Sequence, residues 1–173
     1  EDAATIADLL GINLRQHAVK LMGGSTRYDP SIWWSGFSSQ GDGCCFDSSY
    51  AYRKGAVAAV KAHAPLDTEI HRIAETLAEV QRRHFYRIEA TTKQSGNYYH
   101  SFSMEIDVFD REDNYRDLGD DAEIVRDALR DFANWIYRHL ESEYNYSNAD
   151  EQVDENIRAN EYEFDEEGRR TVF

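Results

Sequence analysis

The sequence predicts an α+β fold of two layers, with an antiparallel sheet of four to five strands packed by a long C-terminal amphipathic helix and a second helix. Three observations predict it. From Tyr98 to Val108, apolar and polar residues alternate, the period-2 signature of a half-buried strand. In Asp120–Tyr144, Val125, Leu129, Phe132, Ile136 and Leu140 fall on one stripe, joined by Ile124, Ala128 and Trp135, the period of an amphipathic helix. In the segment 65–83, Ile70, Ile73, Leu77 and Val80 repeat the same one-faced spacing. Two helices with one apolar stripe each and a sheet with one apolar face bury those surfaces by packing on each other.

The elements follow in order. Residues 3–10 read as a short helix stopped by Gly11, and 17–22 as a strand with His17, Val19 and Leu21 on one side. The stretch 23–30 (GGSTRYDP) is turn chemistry. Residues 31–39 and 44–52 read as two strands of a hairpin about the turn Gln40-Gly41-Asp42-Gly43. A small Ala-rich helix over 55–63 precedes the helix at 65–83. Pro65 is placed at the latter's first position, with Asp67 and Glu69 at its positive end and Arg82 and Arg83 at its negative end. A second hairpin joins 86–90 to 98–108 through Gln94-Ser95-Gly96-Asn97. The long helix runs about 37 Å at 1.5 Å per residue. Ser147 or Asn148 is placed to cap a last helix ending near Ala159, and 160–173 to form a hairpin about Gly168, with Tyr162, Phe164 and Val172 as its apolar points. With no repeat and no linker, residues 1–173 read as a single domain.

Charge is the most informative part of the composition. The 173 residues carry 33 acidic and 19 basic side chains, a net of −14. Residues 1–100 hold 11 of each, so the whole excess lies after residue 100. Such a surface argues against direct nucleic-acid binding, which needs basic groups, and suits a basic partner. The alternative is an acidic, merely solvated tail. No run approaches the ~18 apolar residues of a membrane helix, and no signal peptide is visible. With the two cysteines adjacent and no disulfide framework, a cytoplasmic setting is expected.

Each candidate site has a plainer alternative. Cys44 and Cys45 offer a nucleophile with one of six histidines as base, but adjacent strand positions place one thiol in the core and the other in solvent. No histidine sits in an HExxH or other metal spacing, so no metal and no cofactor is expected, and no catalytic residue is assigned. His100 and His139 are expected at the edge of the core. The Gly41-Asp42-Gly43 turn precedes a strand, which argues against a phosphate cradle. Trp33 and Phe37 share parity on their strand, so an outward Trp33–Phe37 row would form an apolar anchor for a partner or a homodimer, unless another element covers it. On the long helix, Asp120, Glu123, Asp127, Asp131 and Glu141 occupy the face opposite the stripe with Arg130 and Arg138. Asp127 and Asp131 form a like-charge pair four residues apart. Spaced carboxylates of this kind can imitate the phosphates of a nucleic acid.

The runs Lys20-Leu21-Met22-Gly23-Gly24, Ile32-Trp33-Trp34-Ser35-Gly36-Phe37-Ser38-Ser39-Gln40-Gly41-Asp42-Gly43 and Tyr50-Ala51-Tyr52-Arg53 carry a likeness. So do His71-Arg72-Ile73-Ala74, Gln81-Arg82-Arg83 and Asn160-Glu161-Tyr162. Together they resemble a family of bacterial, prophage and plasmid proteins labelled "antitoxin of toxin–antitoxin stability system". The resemblance implies a small non-enzymatic neutraliser carried by mobile elements and brings no catalytic residues. In style alone, being small, acidic and poor in sites, the chain is similar to mobile-element inhibitors of host defence such as anti-CRISPR proteins. The expected function is inhibition of a basic protein or ribonucleoprotein of the host by protein–protein contact. The alternatives are a small Cys/His-dependent hydrolase and a phage regulatory or structural domain.

Overall fold

The computed structural model describes residues 2–170, and the chain forms two compact units, 1–137 and 138–173. The fold is α+β. In the first unit, α1 (Asp2–Leu10) leads into β1 (Ile12–Leu14), and the hairpin β2 (Gln16–Lys20) and β3 (Thr26–Pro30) follows. Next come β4 (Ile32–Trp34), β5 (Cys44–Phe46) and β6 (Ser48–Ala51). Helices α2 (Ala56–His63) and α3 (Thr68–Arg83) precede β7 (Ile88–Gln94), a 3-10 turn at Ser101–Ser103, β8 (Met104–Asp110) and α4 (Asp120–Ser147). Strands β1, β6, β7 and β8 form one antiparallel sheet in that order, while β2–β3 and β4–β5 are separate pairs.

The sheet is one-sided. Ile12 and Leu14 of β1, Ile88, Ala90 and Thr92 of β7, and Met104 and Val108 of β8 are buried, while their neighbours are less so. Ile70, Ile73, Leu77 and Val80 of α3 and Val125, Leu129, Phe132 and Ile136 of α4 are buried as well. Phe132 meets Phe46 edge-on with centroids 5.5 Å apart, and Trp135 Nε1 donates to the Asp67 carboxylate at 2.7 Å. Gln81 Nε2 donates to Ile88 O and Gln81 Oε1 accepts from Ile88 N, which ties α3 to the first residue of β7. Pairing the buried Gln81 amide in this way avoids the cost of about 1–3 kcal/mol that an unpaired buried polar group carries.

Several predicted elements shift, each for a local reason. The turn reading of 23–30 holds only as far as Ser25, since Thr26–Pro30 pairs with Gln16–Lys20. The hairpin about 40–43 is real but short. Its register couples Ile32 with Phe46 and Trp34 with Cys44, leaving 35–43 as a loop. Strand 44–52 breaks at Asp47, where the chain leaves the β4–β5 pair for the main sheet. Helix α3 begins at Thr68 and not at Pro65, because the Asp67 side chain caps it by accepting from Glu69 N and Ile70 N. The alternation over 98–103 is not strand. His100 and Ser103 close a capping box around the 3-10 turn, and β8 starts at Met104.

The second unit continues α4 to Ser147 and adds α5 (Asp150–Ala159), in which no residue is buried. Ala149 is its N-cap, without a side-chain bond, so neither Ser147 nor Asn148 caps it. Of the expected last hairpin, the described residues show one bridge, Phe164 to Arg170, and Val172 lies outside the described residues. The Arg170 guanidinium lies 3.8 Å from the Tyr162 ring centroid. No helix among the described residues is long and apolar enough to cross a membrane.

Candidate interaction surface

The loop 35–43 is pinned from inside. The Asp42 carboxylate accepts from Ser38 N at 2.9 Å and Ser39 N at 2.7 Å, and those backbone bonds lower its pKa. Ser35 exchanges bonds with Gly43 at 3.1 and 3.2 Å, closing the base of the loop. The Asp42 charge therefore serves the loop. Gly43 is required by close approach, since a β-carbon there would lie 2.6 Å from His100 Cδ2 and 3.1 Å from His100 Cα.

This contact sets loop 35–43 against loop 95–103. In the second loop, His100 Nδ1 accepts from Phe102 N and the Ser103 hydroxyl accepts from His100 N. The two loops border an open hollow of about 290 Å³ lined by Ser35, Ser39, Gly41, Asp42 and Asn97–Tyr99. Tyr137 on α4 braces the first loop by donating to Gly36 O at 3.0 Å.

Aromatic rings crowd the outside of these loops. Trp34 stacks on Phe37 at 5.4 Å, and Phe37 in turn meets Tyr137 at 5.4 Å. Phe102 stacks on His100 at 5.5 Å, with the Arg130 guanidinium 5.8 Å from its centroid. Trp34 is 48% exposed, Tyr98 74% and Phe102 76%. The expected Trp33–Phe37 row is corrected here. Strand β4 ends at Trp34, so strand parity does not reach Phe37, which folds back on Trp34, while half-buried Trp33 stacks on His17 at 5.8 Å. Tyr98, Tyr99 and Phe102 were missed because the alternation signal assigned them to a strand. Tyr98 and Tyr99 lie in the loop before the 3-10 turn, and Phe102 in the turn itself.

The acidic face of α4 lies outside the core, and ion pairs engage three of its five carboxylates. Glu123 pairs with Arg126 at 2.9 Å and with Arg130 at 3.4 Å, Asp127 pairs with Arg130 at 3.2 Å, and Asp131 pairs with Arg72 of α3 at 2.7 Å. The Asp127–Asp131 repulsion is thus relieved by two arginines. Among the described residues, Asp120 and Glu141 make no ion pair. Asp121, outside the predicted set, bonds Arg83 at 2.5 Å and His84 Nε2 at 2.7 Å. Its pKa is lowered chiefly by the Arg83 bond. The carboxylate excess is densest in the second unit, where residues 138–173 carry 11 acidic and 4 basic side chains.

Both cysteines are fully buried, which corrects the one-in, one-out expectation. Burial pushes the Cys45 thiol up to about 12 and the Cys44 thiol higher still, so neither is a thiolate near neutral pH. His100 caps the 3-10 turn instead of lying on a strand, and His139 is exposed instead of at the core edge. No group of three or more His, Cys, Asp or Glu among the described residues is placed to hold a metal.

No curated protein and no solved structure matches the chain. A family model matches residues 1–150, and on that match, which takes in the two loops and the exposed rings, the chain belongs to the family described as Domain of unknown function (DUF8835).

Proposed function

We propose that the protein is a non-catalytic inhibitor that binds and blocks a basic protein or ribonucleoprotein of a bacterial host, in the cytoplasm. The carrying observation is the set of exposed rings, Trp34 at the end of β4 and Tyr98 and Phe102 on the internally bonded loop 95–103. Large exposed rings on a rigid support are the usual anchors of an interface, since they bury much area and lose little entropy. The carboxylate excess of the second unit supports a basic partner through long-range attraction, which acts mainly on the encounter rate. A nucleic-acid-guided defence complex or a toxin with a basic groove has the matching charge. This agrees with the resemblance to antitoxin-labelled proteins of mobile elements.

The test is capture of the partner from a bacterial lysate with tagged wild type and with Trp34→Ala/Phe102→Ala, both checked by circular dichroism. The double variant is expected to lose the partner, and the wild type to abolish nucleic-acid binding by that partner in a dose-dependent way. Equal capture by a folded double variant, or a partner whose activity survives saturation, overturns the proposal. If the patch instead joins two copies, sedimentation will show a wild-type dimer that the double variant lacks.

A further inference from the structure

A second site lies apart from the aromatic loops, between α2, α3 and the end of β6. A cavity of about 160 Å³ is lined by twelve residues. Leu10, Ala74, Leu77 and Ala78 give it apolar walls, the small side chains of α3 leaving the space. Tyr52 and Tyr86 contribute aromatic walls and contact each other with centroids 4.4 Å apart. Tyr86 reaches this place because Phe85 and Tyr86 both adopt left-handed backbone, at φ 53° and 63°, and turn the chain back over the helix end.

Two features give the cavity a charge preference. Its lining holds Arg53 and Arg82 and no acidic residue, in a chain of net charge −14. Arg53 is bonded to Asp8, whereas Arg82 has no ion-pair partner among the described residues. The first turn of α2 adds the positive end of a helix whose N-cap, Gly55, supplies no side-chain bond.

The third feature is an unused donor. Tyr50 lines the cavity and is 3% exposed. The Gln81 amide is fixed by its two bonds to Ile88, so its second N–H hydrogen points to the Tyr50 oxygen, at 3.2 Å. Tyr50 Oη is therefore an acceptor in that bond, and its own hydrogen has no acceptor among the described residues. Burial pushes the Tyr50 phenol up to about 12, which keeps that hydrogen in place. A buried donor without an acceptor is costly, and a ligand oxygen removes the cost.

We infer that this cavity binds a monocyclic aromatic carboxylate, with the ring between the apolar walls and the tyrosines, and the carboxylate taken by Tyr50 Oη and Arg82. The volume fits, because an apolar cavity of about 150 Å³ takes a benzene ring. The site is independent of the partner surface and extends the protein's chemistry to a small ligand.

Benzoate is the probe, titrated into the whole chain and followed by thermal unfolding and by backbone amide NMR. The expected result is a saturable rise in Tm, with shifts concentrated at Tyr50, Val57 and Leu77, and none with benzamide at equal concentration. Arg82→Gln, at an exposed position, should weaken binding about tenfold or more, as loss of a charge-assisted bond does. Tyr50→Phe should weaken it similarly, and Lys54→Gln, at a residue outside the lining, should leave it unchanged. Should Tyr50→Phe fail to fold, Arg82→Gln decides alone. No saturable shift, equal binding of benzamide, or unchanged affinity of Arg82→Gln overturns the inference. So does binding of a peptide ending in Phe where benzoate fails.

Discussion

Gly43 and His100 touch so closely that no β-carbon fits between them, since it would lie 2.6 Å from the imidazole Cδ2. Residues far apart in sequence thereby set two loops against each other, and the second of them carries the exposed Tyr98 and Phe102.

Gly43→Ala should therefore cost about 1–3 kcal/mol of stability, the usual range for forcing a methyl into a filled site. Gly41→Ala, where a β-carbon meets nothing within 4 Å, should stay within about 0.5 kcal/mol of wild type. Urea unfolding of both variants measures the difference. Equal midpoints would mean that the loops can separate without loss.

The acidic surface should act through the second unit and less through α4. Charge removal by Asp150→Asn, Glu151→Gln and Glu155→Gln, all exposed on α5, should slow association with the captured partner and flatten its salt dependence. Asp127→Asn with Asp131→Asn should change association less, because both carboxylates already face arginines. Stopped-flow association at two salt concentrations separates the cases. Equal slowing by both sets would restore the α4 face as a contact.

Asp121 should contribute to acid sensitivity. Its pKa is lowered by Arg83 and His84, so its contribution is present above the ordinary carboxylate value and is lost as pH falls through the lower, folded value. Wild type should thus lose stability between about pH 4 and more acidic conditions. Asp121→Asn should be less stable at neutral pH and show a shallower acid loss. Thermal midpoints across that range give the two slopes, and parallel slopes would assign the acid loss to other carboxylates.

The thiols should be inert in the native protein. Iodoacetamide at neutral pH should label neither Cys44 nor Cys45 until denaturant is added, when both react. Cys44→Ala with Cys45→Ala should keep partner binding while losing some stability. Rapid native labelling of either thiol, read by mass spectrometry, would contradict their burial.

The fold was legible where one pattern dominated over many residues. Ile70, Ile73, Leu77 and Val80, and Val125, Leu129, Phe132 and Ile136, are buried along the stripes that the spacing predicts. Short elements were less legible, because β1 has three residues and no periodicity to read. Tyr98–Ser103 misled because its alternation matches a strand while His100 and Ser103 bond locally to make a turn. Local side-chain bonds to backbone compete with sheet formation and leave no trace in polarity.

The sequence by itself determined the α+β class, the two amphipathic helices and the placement of the whole charge excess after residue 100, since burial period and net charge are sums over many side chains. The tertiary structure decided which carboxylates remain open, because Arg72 reaches Asp131 from another helix. It also decided which ring accompanies Trp34, because β4 stops before Phe37, and that the Tyr50 hydrogen is spare, because Ile88 fixes the Gln81 amide. Each of these depends on contacts between residues distant along the chain, and such contacts are set by packing geometry and not by local composition.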